Sequence, residues 1–164
     1  MTFSTCDLSD QHRDAARIPA PVFRDFGGRQ CFQGAAVTVK CFEDNSRVKE
    51  LLATPGHGRV LVVDGGGSTR CALLGDMIGK DAVANGWEGV VIYGCVRDTA
   101  LLATLDIGIK AIGANPRRST RRGEGIVGIQ VDIAGVLVSD GDSVFGDEDG
   151  IVVLPPAQTD GATG

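Results

Sequence analysis

Residues 75–98 read GDMIGKDAVANGWEGVVIYGCVRD, and this stretch decides the fold of the chain. From Asp76 the apolar residues recur at helical spacing, and a continuous apolar run over 89–95 predicts a buried strand. A strand that returns beside a helix of this length brings Arg97 and Asp98 back to the start of the helix. Two carboxylates and one guanidinium would then lie at one rim of a sheet. There they could hold a divalent cation and neutralise a small oxyanion.

The segments on either side extend this helix–strand unit into an α/β pattern. Strands are predicted at 35–42 and 60–64, with a helix over 46–53 between them that Asn45 can cap. Beyond Gly125 the pattern is β only, with turns of Gly and Asp. The remaining predicted elements are a strand at 70–74, a helix from Asp98 to about Leu105, and strands at 109–113, 126–133, 136–138, 143–145 and 151–154.

Element order and composition together predict one domain. At 164 residues the chain can build a single core, which its 43% apolar and 5% aromatic residues would fill mainly with aliphatic side chains. A βαβαβ core with a β-rich C-terminal half predicts an α/β domain over residues 1–156 with a second sheet or partial barrel. The small, polar, glycine-rich segment 157–164 predicts a disordered tail.

Charge and hydropathy narrow the expected partners and location. A formal net charge of −5 argues against a broad nucleic-acid surface, because such surfaces use Lys and Arg to neutralise phosphates. The N-terminus lacks the charged-then-apolar order of a signal peptide, and no apolar run approaches the roughly 20 residues of a membrane span. We therefore expect a cytoplasmic protein with no membrane partner and no direct nucleic-acid partner.

The cysteines do not form a recognisable metal or disulfide pattern. They are odd in number and have no CxxC spacing, and neither His12 nor His57 lies three to five residues from one of them. The sequence therefore predicts small buried hydrophobic residues in a reducing compartment. The five are Cys6, Cys31, Cys41, Cys71 and Cys95.

A glycine run, Gly65-Gly66-Gly67-Ser68, follows the predicted strand at 60–64. Backbone N–H groups of such a loop can cradle an anion, which would suggest a phosphate site. Neither GxGxxG nor GxxxxGK[ST] is present, and no acidic residue follows at the expected strand end. A tight turn near the site is the favoured interpretation.

The residues of the predicted rim each allow a functional and a structural interpretation. A helix that begins at Asp76 presents free N–H groups that could receive a substrate carboxylate, or Asp76 could simply be an N-cap. Ligands of open α/β sheets bind at the carboxyl ends of strands, where Arg97 and Asp98 stand. Alternatively, that pair could form a surface salt bridge, or Asp98 could cap the next helix.

Four segments of the chain resemble the RraA-like family, which contains regulators of ribonuclease activity A and 4-hydroxy-4-methyl-2-oxoglutarate aldolases. The similarity extends from about residue 22 to residue 154. It implies a β/β/α swivelling domain assembled as a trimeric ring, with sites between subunits. The segments are FGGR at 26–29, TVKCFEDN at 38–45, VLVVDGGGS at 60–68 and DIGIKA at 106–111.

The resemblance also implies roles for the rim residues. Its aldolase members carry Asp, twenty residues, then Arg-Asp, which the regulators lack and which this chain has complete. By resemblance, Asp98 binds a divalent metal, Mg²⁺ or Mn²⁺, and Asp76 holds metal-bound water. Arg97 contacts the keto and carboxylate oxygens of the substrate, and the backbone from Gly75 through Asp76 and Met77 to Ile78 receives the carboxylate.

The activity implied is metal-dependent (class II) cleavage of 4-hydroxy-4-methyl-2-oxoglutarate, or a related 4-hydroxy-2-oxo acid, to pyruvate. The same enolate forms when oxaloacetate loses carbon dioxide, so decarboxylation is also expected. Two alternatives stay open. One is inhibition of a ribonuclease E-type endonuclease by docking, without catalysis. The other is a Schiff-base route through Lys80, one turn after Asp76, although Lys80 could equally lie on a solvated helix face.

Two departures from the pattern of the aldolase members concern carboxylates. Many aldolase members have an acidic residue where this chain has Leu101, and some supply a C-terminal carboxylate from a neighbouring subunit, for which Asp147, Glu148 and Asp149 are candidates.

The 117–122 run, RRSTRR, is the one basic cluster of the sequence. It is interpreted as a solvated loop or subunit rim, with RNA or an anionic substrate tail as the alternative ligand.

Overall fold

The computed structural model describes residues 2–157. The predicted disordered tail therefore lies outside the described residues except for Ala157. The helices are α1 (Thr5–Gln11), α2 (Ser46–Leu52), α3 (Asp76–Ala84) and α4 (Thr99–Leu102). The strands are β1 (Arg24–Asp25), β2 (Phe32–Lys40), β3 (Val60–Asp64), β4 (Ala72–Leu74), β5 (Gly89–Val96), β6 (Gly108–Ala114), β7 (Ile126–Val127), β8 (Val131–Ile133), β9 (Val136–Val138), β10 (Ser143–Asp147) and β11 (Gly150–Leu154).

A nine-stranded mixed sheet forms the centre of the fold. Its order is β1-β6-β5-β3-β2-β10-β11, with β4 beside β5 and β7 beside β2. β2, β3, β5 and β6 are mutually parallel, and all five residues of β3 are buried, as expected for a strand covered on both faces. β10 continues the sheet antiparallel to β2. The predicted α/β class is confirmed.

Two apolar clusters cover the two faces of this sheet. One cluster unites the strands with buried residues of α2, α3 and α4, among them Val48, Ile78 and Leu102. The other unites them with the β8–β9 hairpin and with β10 and β11. The helices thus pack on one face of the central sheet and the β8–β9 hairpin packs on the other, which is the predicted β/β/α arrangement.

Phe32 fills a pocket that glycines create. Its ring is fully buried, and a Cβ atom at Gly89, Gly108 or Gly146 would lie only 2.4, 2.1 or 2.4 Å from it. These glycines lie on β5, β6 and β10. Their missing side chains let three strands close around one ring, which accounts for part of the high glycine content.

Several predicted boundaries need correction. The strand predicted at 126–133 is two strands: β7 pairs with β2, whereas β8 pairs with β9. The backbone of Gly128 between them has φ +84°, a left-handed conformation that breaks the strand. The helix predicted to reach Leu105 ends at Leu102, and β2 begins three residues earlier than predicted.

The cysteines are all free thiols, and their burial differs from the prediction at two positions. Cys41, Cys71 and Cys95 are buried, but Cys31 is half-buried and Cys6 is exposed. Burial raises the pKa of the Cys41 thiol to about 12, so this thiol is protonated at neutral pH. None of the helices within residues 2–157 is long and apolar enough to cross a membrane.

Candidate active site

Asp98 links the end of β5 to the start of α3. Its backbone is left-handed, with φ 55° and ψ 42°, a conformation that Asp tolerates better than most residues. Its side chain makes no capping hydrogen bond to α4, which the sequence had suggested as a possibility. Instead, Oδ2 of Asp98 accepts a hydrogen bond of 3.1 Å from the backbone N–H of Asp76. The carboxylate therefore lies at the N-terminus of α3, where the helix dipole favours negative charge.

Gly75 permits this close approach. A Cβ atom at position 75 would lie 2.7 Å from Oδ2 of Asp98, and 3.4 and 3.5 Å from Cγ and Nε of Arg97. The backbone N–H of Arg97 also donates to the carbonyl of Leu74, at 2.9 Å. Two consecutive residues after β5 are thus packed directly on the turn that begins α3.

Asp76 is the first residue of α3, and Gly75 occupies the N-cap position. The simple N-cap interpretation of Asp76 is therefore wrong. Its Oδ2 atom accepts from Nζ of Lys80 at 3.3 Å. Desolvation raises the pKa of Asp76, but the hydrogen bond from Lys80, the contact with Asp98 and the Met77 N–H outweigh it, so the pKa lies below its ordinary value. Asp76 is therefore a carboxylate at neutral pH.

All six predicted site residues line one cavity of about 570 Å³ at the carboxyl ends of the strands. The structure thus brings together the groups that the spacing predicted would meet. Their catalytic and metal-binding roles stay predictions. The cavity is lined by Gly75, Asp76, Met77, Ile78, Arg97 and Asp98, with Asn45, Ala72 and Leu74 and with residues 118–121 opposite.

The opposite wall is a part of the site that the sequence did not assign. Residues 117–122, here called the arginine loop, were predicted to be a solvated loop or a subunit rim. The loop is mostly exposed, but Arg118 and Arg121 line the cavity, which favours the alternative of an anionic substrate tail. Nε of Arg121 donates to Oδ1 of Asn45 at 3.1 Å. Isolated bridges at Asp44–Thr120 and Ala72–Arg118 hold the loop beside the cavity.

Other candidate groups lie away from this cavity. Lys80 is 57% exposed and paired with Asp76, so it lacks the desolvated setting of a Schiff-base lysine. Leu101 is exposed on α4 and does not line the cavity. Asp147 is buried against Thr5, and Asp149 lines a separate cleft near Cys6, so neither reaches the cavity of its own chain.

The glycine run after β3 forms a turn, which is the interpretation that the sequence favoured. The N–H of Gly66 donates to Oδ1 of Asp64 at 2.9 Å, and the N–H of Gly67 donates to the carbonyl of Tyr93 at 3.0 Å. The hydroxyl of Ser68 donates to Glu43. Because these N–H groups have partners within the chain, they are not arranged to cradle a phosphate.

The donor set fits a hard divalent cation. Asp98 and Asp76 provide carboxylate oxygens in one cavity, and Oδ1 of Asp98 has no hydrogen-bond partner within residues 2–157. No cluster of three or more His, Cys, Asp or Glu that could enclose a metal occurs in that part of the chain. Mg²⁺ commonly binds through one or two carboxylates and completes its shell with water and substrate, and two carboxylates suffice for that mode.

The fold and the cavity together define a β/β/α protein in which carboxylates and arginines line one cavity at the carboxyl ends of the parallel strands. The chain belongs to the RraA-like family, whose model, described as Aldolase/RraA, matches residues 5–153. Relatives from Deinococcus radiodurans and Alkalilimnicola ehrlichii, provisionally named as 4-hydroxy-4-methyl-2-oxoglutarate aldolases, are 58% and 55% identical. The alignments cover 92% and 93% of this chain, and 93% and 95% of those relatives.

A solved structure shares the same architecture. The RNA-processing inhibitor RraA from Thermus thermophilis superposes with a TM-score of 0.92 at 41% identity, and the match covers 100% of this chain and 99% of that one. The predicted fold family is thereby confirmed for the described residues. The family includes proteins named for two different roles, so the site has to decide between them.

Proposed function

We propose that this protein is a lyase, an aldolase that cleaves 4-hydroxy-4-methyl-2-oxoglutarate or a related 4-hydroxy-2-oxo acid to pyruvate with a divalent metal, Mg²⁺ or Mn²⁺. One observation carries the proposal: Asp76, Arg97 and Asp98 line a single cavity in a chain whose relatives are named for this reaction. A protein that only docks on a partner has no need for two carboxylates and a guanidinium in one cavity.

Arg97 is assigned to the oxygen on which charge develops. When the C3–C4 bond of the substrate breaks, negative charge grows on the C2 oxygen. The Arg97 guanidinium has no hydrogen-bond or ion-pair partner within residues 2–157, so its donors are free for that oxygen and the adjacent carboxylate. Asp98 would hold the cation and Asp76 would orient water beside it; the cation, when bound, supplies Lewis-acid stabilisation of the same charge.

Asp76 and the start of α3 complete this half of the site. The N–H of Asp76 is already bonded to Asp98, so the remaining N–H groups of the turn from Gly75 to Ile78, with the partial positive charge of the helix N-terminus, are assigned to the substrate's C1 carboxylate. Because the pKa of Asp76 is lowered, its carboxylate is a weak base at neutral pH and accepts a proton poorly. Asp76 is therefore assigned to orient water beside the C4 hydroxyl. Oxaloacetate, which forms the same enolate on losing carbon dioxide, should be decarboxylated at this site.

The arginine loop suits the other end of such a substrate. In 4-hydroxy-4-methyl-2-oxoglutarate the second carboxylate is bonded to C4, on the other side of the C3–C4 bond from the C1 carboxylate. Arg118 and Arg121 line the same cavity as Arg97, and guanidinium groups bind carboxylates well because two parallel N–H donors match two oxygens. The cavity, about 570 Å³, is large enough for a molecule of this size.

The direct test is pyruvate release from 4-hydroxy-4-methyl-2-oxoglutarate by metal-stripped protein, before and after addition of Mg²⁺ or Mn²⁺. Turnover that appears with the metal and disappears on Asp98→Ala is the expected result. Oxaloacetate provides a second substrate in the same assay. Absence of turnover with every metal tried, or full turnover by Asp98→Ala, would contradict the proposal.

Arg121→Ala tests the assignment of the second carboxylate. Loss of one charge-assisted hydrogen bond should raise KM by about tenfold with kcat nearly unchanged, since this contact acts equally in ground and transition states. Initial rates over a range of substrate concentrations measure both constants. Arg122→Ala is the matched control, because Arg122 is an exposed neighbour in the same loop that does not line the cavity. Equal effects of the two variants would show that only overall charge matters.

A docking role is the second candidate, and the likeness to the RNA-processing inhibitor RraA favours it. In that case the protein would inhibit a ribonuclease E-type endonuclease, and Asp98→Ala would leave the inhibition intact. An RNA cleavage assay with purified endonuclease, run beside the pyruvate assay, separates the roles. The predicted trimer and cytoplasmic location stay predictions.

A further inference from the structure

We propose that Asp44 is a positioning residue of this site: its buried carboxylate holds the arginine loop, and with it the Arg121 guanidinium, against the cavity. The inference rests on the proposed function, because the ligand that Arg121 would meet is the second carboxylate of the substrate. Asp44 lies in the turn between β2 and α2 and does not line the cavity itself.

The geometry at Asp44 is that of an anchor for backbone N–H groups. Its side chain is completely buried. Oδ2 accepts from the backbone N–H of Arg122 at 2.7 Å, and Oδ1 accepts from the N–H of Ser46 at 2.8 Å. A carboxylate buried without a cationic partner is costly unless several donors satisfy it, and here donors from two distant segments do so.

The protonation state agrees with this geometry. Burial raises the pKa of Asp44, but the hydrogen bonds from Ser46 and from the backbone of Arg122 and Glu124 outweigh it, so the pKa lies below its ordinary value. The group is thus an anion at neutral pH. Hydrogen bonds to an ionised acceptor are roughly twice as strong as those between neutral groups, which suits an anchor for a loop that is otherwise exposed.

The anchor acts on the residue beside Arg121. Asp44 fixes the backbone of Arg122, while its neighbour Asn45 accepts from the Arg121 side chain at 3.1 Å and donates its own N–H to the Thr120 carbonyl at 3.3 Å. Asp44 and Asn45 therefore fix the Arg122 backbone and the Arg121 guanidinium, while the carbonyl groups of Glu43 and Ala72 accept from the N–H groups of Thr120 and Ser119. Asp44 itself has no hydrogen bond to the turn at Gly75, so loss of its carboxylate acts first on the arginine loop.

Because Asp44 contacts the arginine loop and not the turn at Gly75, Asp44→Asn should have a specific kinetic effect. The amide keeps the shape but replaces one acceptor oxygen with an NH₂ group that faces N–H donors. The loop should then move away, and KM for the dicarboxylate substrate should rise by about tenfold or more while kcat changes little. A generally destabilising change would not separate the two constants in this way.

A second measurement does not depend on activity. The arginine loop has four tryptic sites, so its release should accelerate cleavage within 117–122 by about tenfold, as expected when a local opening becomes more frequent. Mass spectrometry of timed digests of the full-length protein locates the cuts. Calorimetric titration with 2-oxoglutarate, a 2-oxo dicarboxylate without the 4-hydroxyl group, measures binding without turnover, and Asp44→Asn should weaken it.

Asp142→Asn is the matched control. Asp142 is also buried and accepts from the N–H of Ser139 at 2.8 Å and from Arg17 at 3.0 Å, but it does not line the cavity or contact the arginine loop. We expect some loss of global stability in this variant, with KM, 2-oxoglutarate affinity and loop cleavage close to wild type.

The outcomes separate this proposal from the proposed function. If wild type shows no turnover, the proposed function fails, and digestion and calorimetry still decide on Asp44. Unchanged loop cleavage or unchanged 2-oxoglutarate affinity in Asp44→Asn overturns the positioning role, as does an equal effect of Asp142→Asn. Should Asp44→Asn fail to fold, hydrogen exchange of the wild-type protein decides: the Arg122 amide must be protected, and fast exchange there overturns the proposal.

Discussion

Arg97→Ala should lower kcat for pyruvate release by about 10²–10³-fold, the usual cost of removing one preorganised donor from a developing oxyanion. The effect should fall on kcat more than on KM, because charge on the C2 oxygen grows only as the C3–C4 bond breaks. Steady-state rates with saturating metal measure the change. Arg97→Lys keeps the charge but not the planar fork, so it should recover only part of the lost rate.

The structure makes this variant a clean test. Arg97 is half-buried, and its guanidinium has no hydrogen-bond or ion-pair partner within residues 2–157, so its removal leaves no protein group unsatisfied. Thermal unfolding should therefore stay close to wild type. Arg13→Ala, at an exposed position outside the cavity, controls for loss of one positive charge. A kcat within a few-fold of wild type would remove Arg97 from the reaction.

Spacing sufficed to predict that Asp76 and the Arg97–Asp98 pair meet, because regular elements carry the chain over known distances. α3 has apolar residues at helical spacing and β5 is a continuous apolar run, and a strand laid back along a helix has few alternative paths. The buried strand β3 was equally predictable from its continuous apolar residues. Long regular elements are the part of a fold that local sequence determines.

The contact by which Asp98 joins α3 could not be predicted in the same way. A residue that precedes a helix normally caps that helix, and the sequence gives no sign that Asp98 adopts a left-handed backbone and caps α3 instead. Gly75 was predicted as part of the carboxylate-binding turn, but not as the position where a side chain would collide with Asp98. Such relations depend on tertiary packing between elements that are distant along the chain.

The arginine loop is the largest part of the cavity wall whose position the sequence did not predict. It has no periodic pattern, and its place is fixed by Asp44 and Ala72, which lie about 76 and 46 residues earlier in the chain. The one signal in the sequence was the arginine cluster itself, which indicates an anion but not its location. Similarly, the glycines around Phe32 are scattered over β5, β6 and β10, so no local pattern relates them to that ring.

Lys110 is the position where we expect the largest loss of stability. Its side chain is 3% exposed on β6, and Nζ lies 2.9 Å from Oδ1 of Asp25 on β1. The contact is an ion pair rather than a well-aligned hydrogen bond, since Oδ1 of Asp25 accepts no directed bond within residues 2–157. Nζ also donates to the carbonyl of Asp147, whose carboxylate holds the N–H and hydroxyl of Thr5 at 2.8 and 2.6 Å. The Lys110 ammonium group thus connects β6 to the edge strand β1, through Asp25, and to Asp147, the residue whose carboxylate binds the first residue of α1.

Lys110→Met should therefore lower the free energy of unfolding by about 3 kcal/mol, because it leaves the Asp25 carboxylate and the Asp147 carbonyl largely buried without their cation. Lys49→Met, on the exposed face of α2, should change it by less than about 0.5 kcal/mol. Urea unfolding at one fixed protein concentration measures both, since self-association would otherwise alter the apparent stability. The double variant Lys110→Met/Asp25→Leu should recover at least half of the loss, because removing both charges leaves only the carbonyl unpaired. If the single variant unfolds like wild type, the buried ammonium does not stabilise the junction; if the double variant is less stable than the single, the loss reflects packing rather than an unpaired charge.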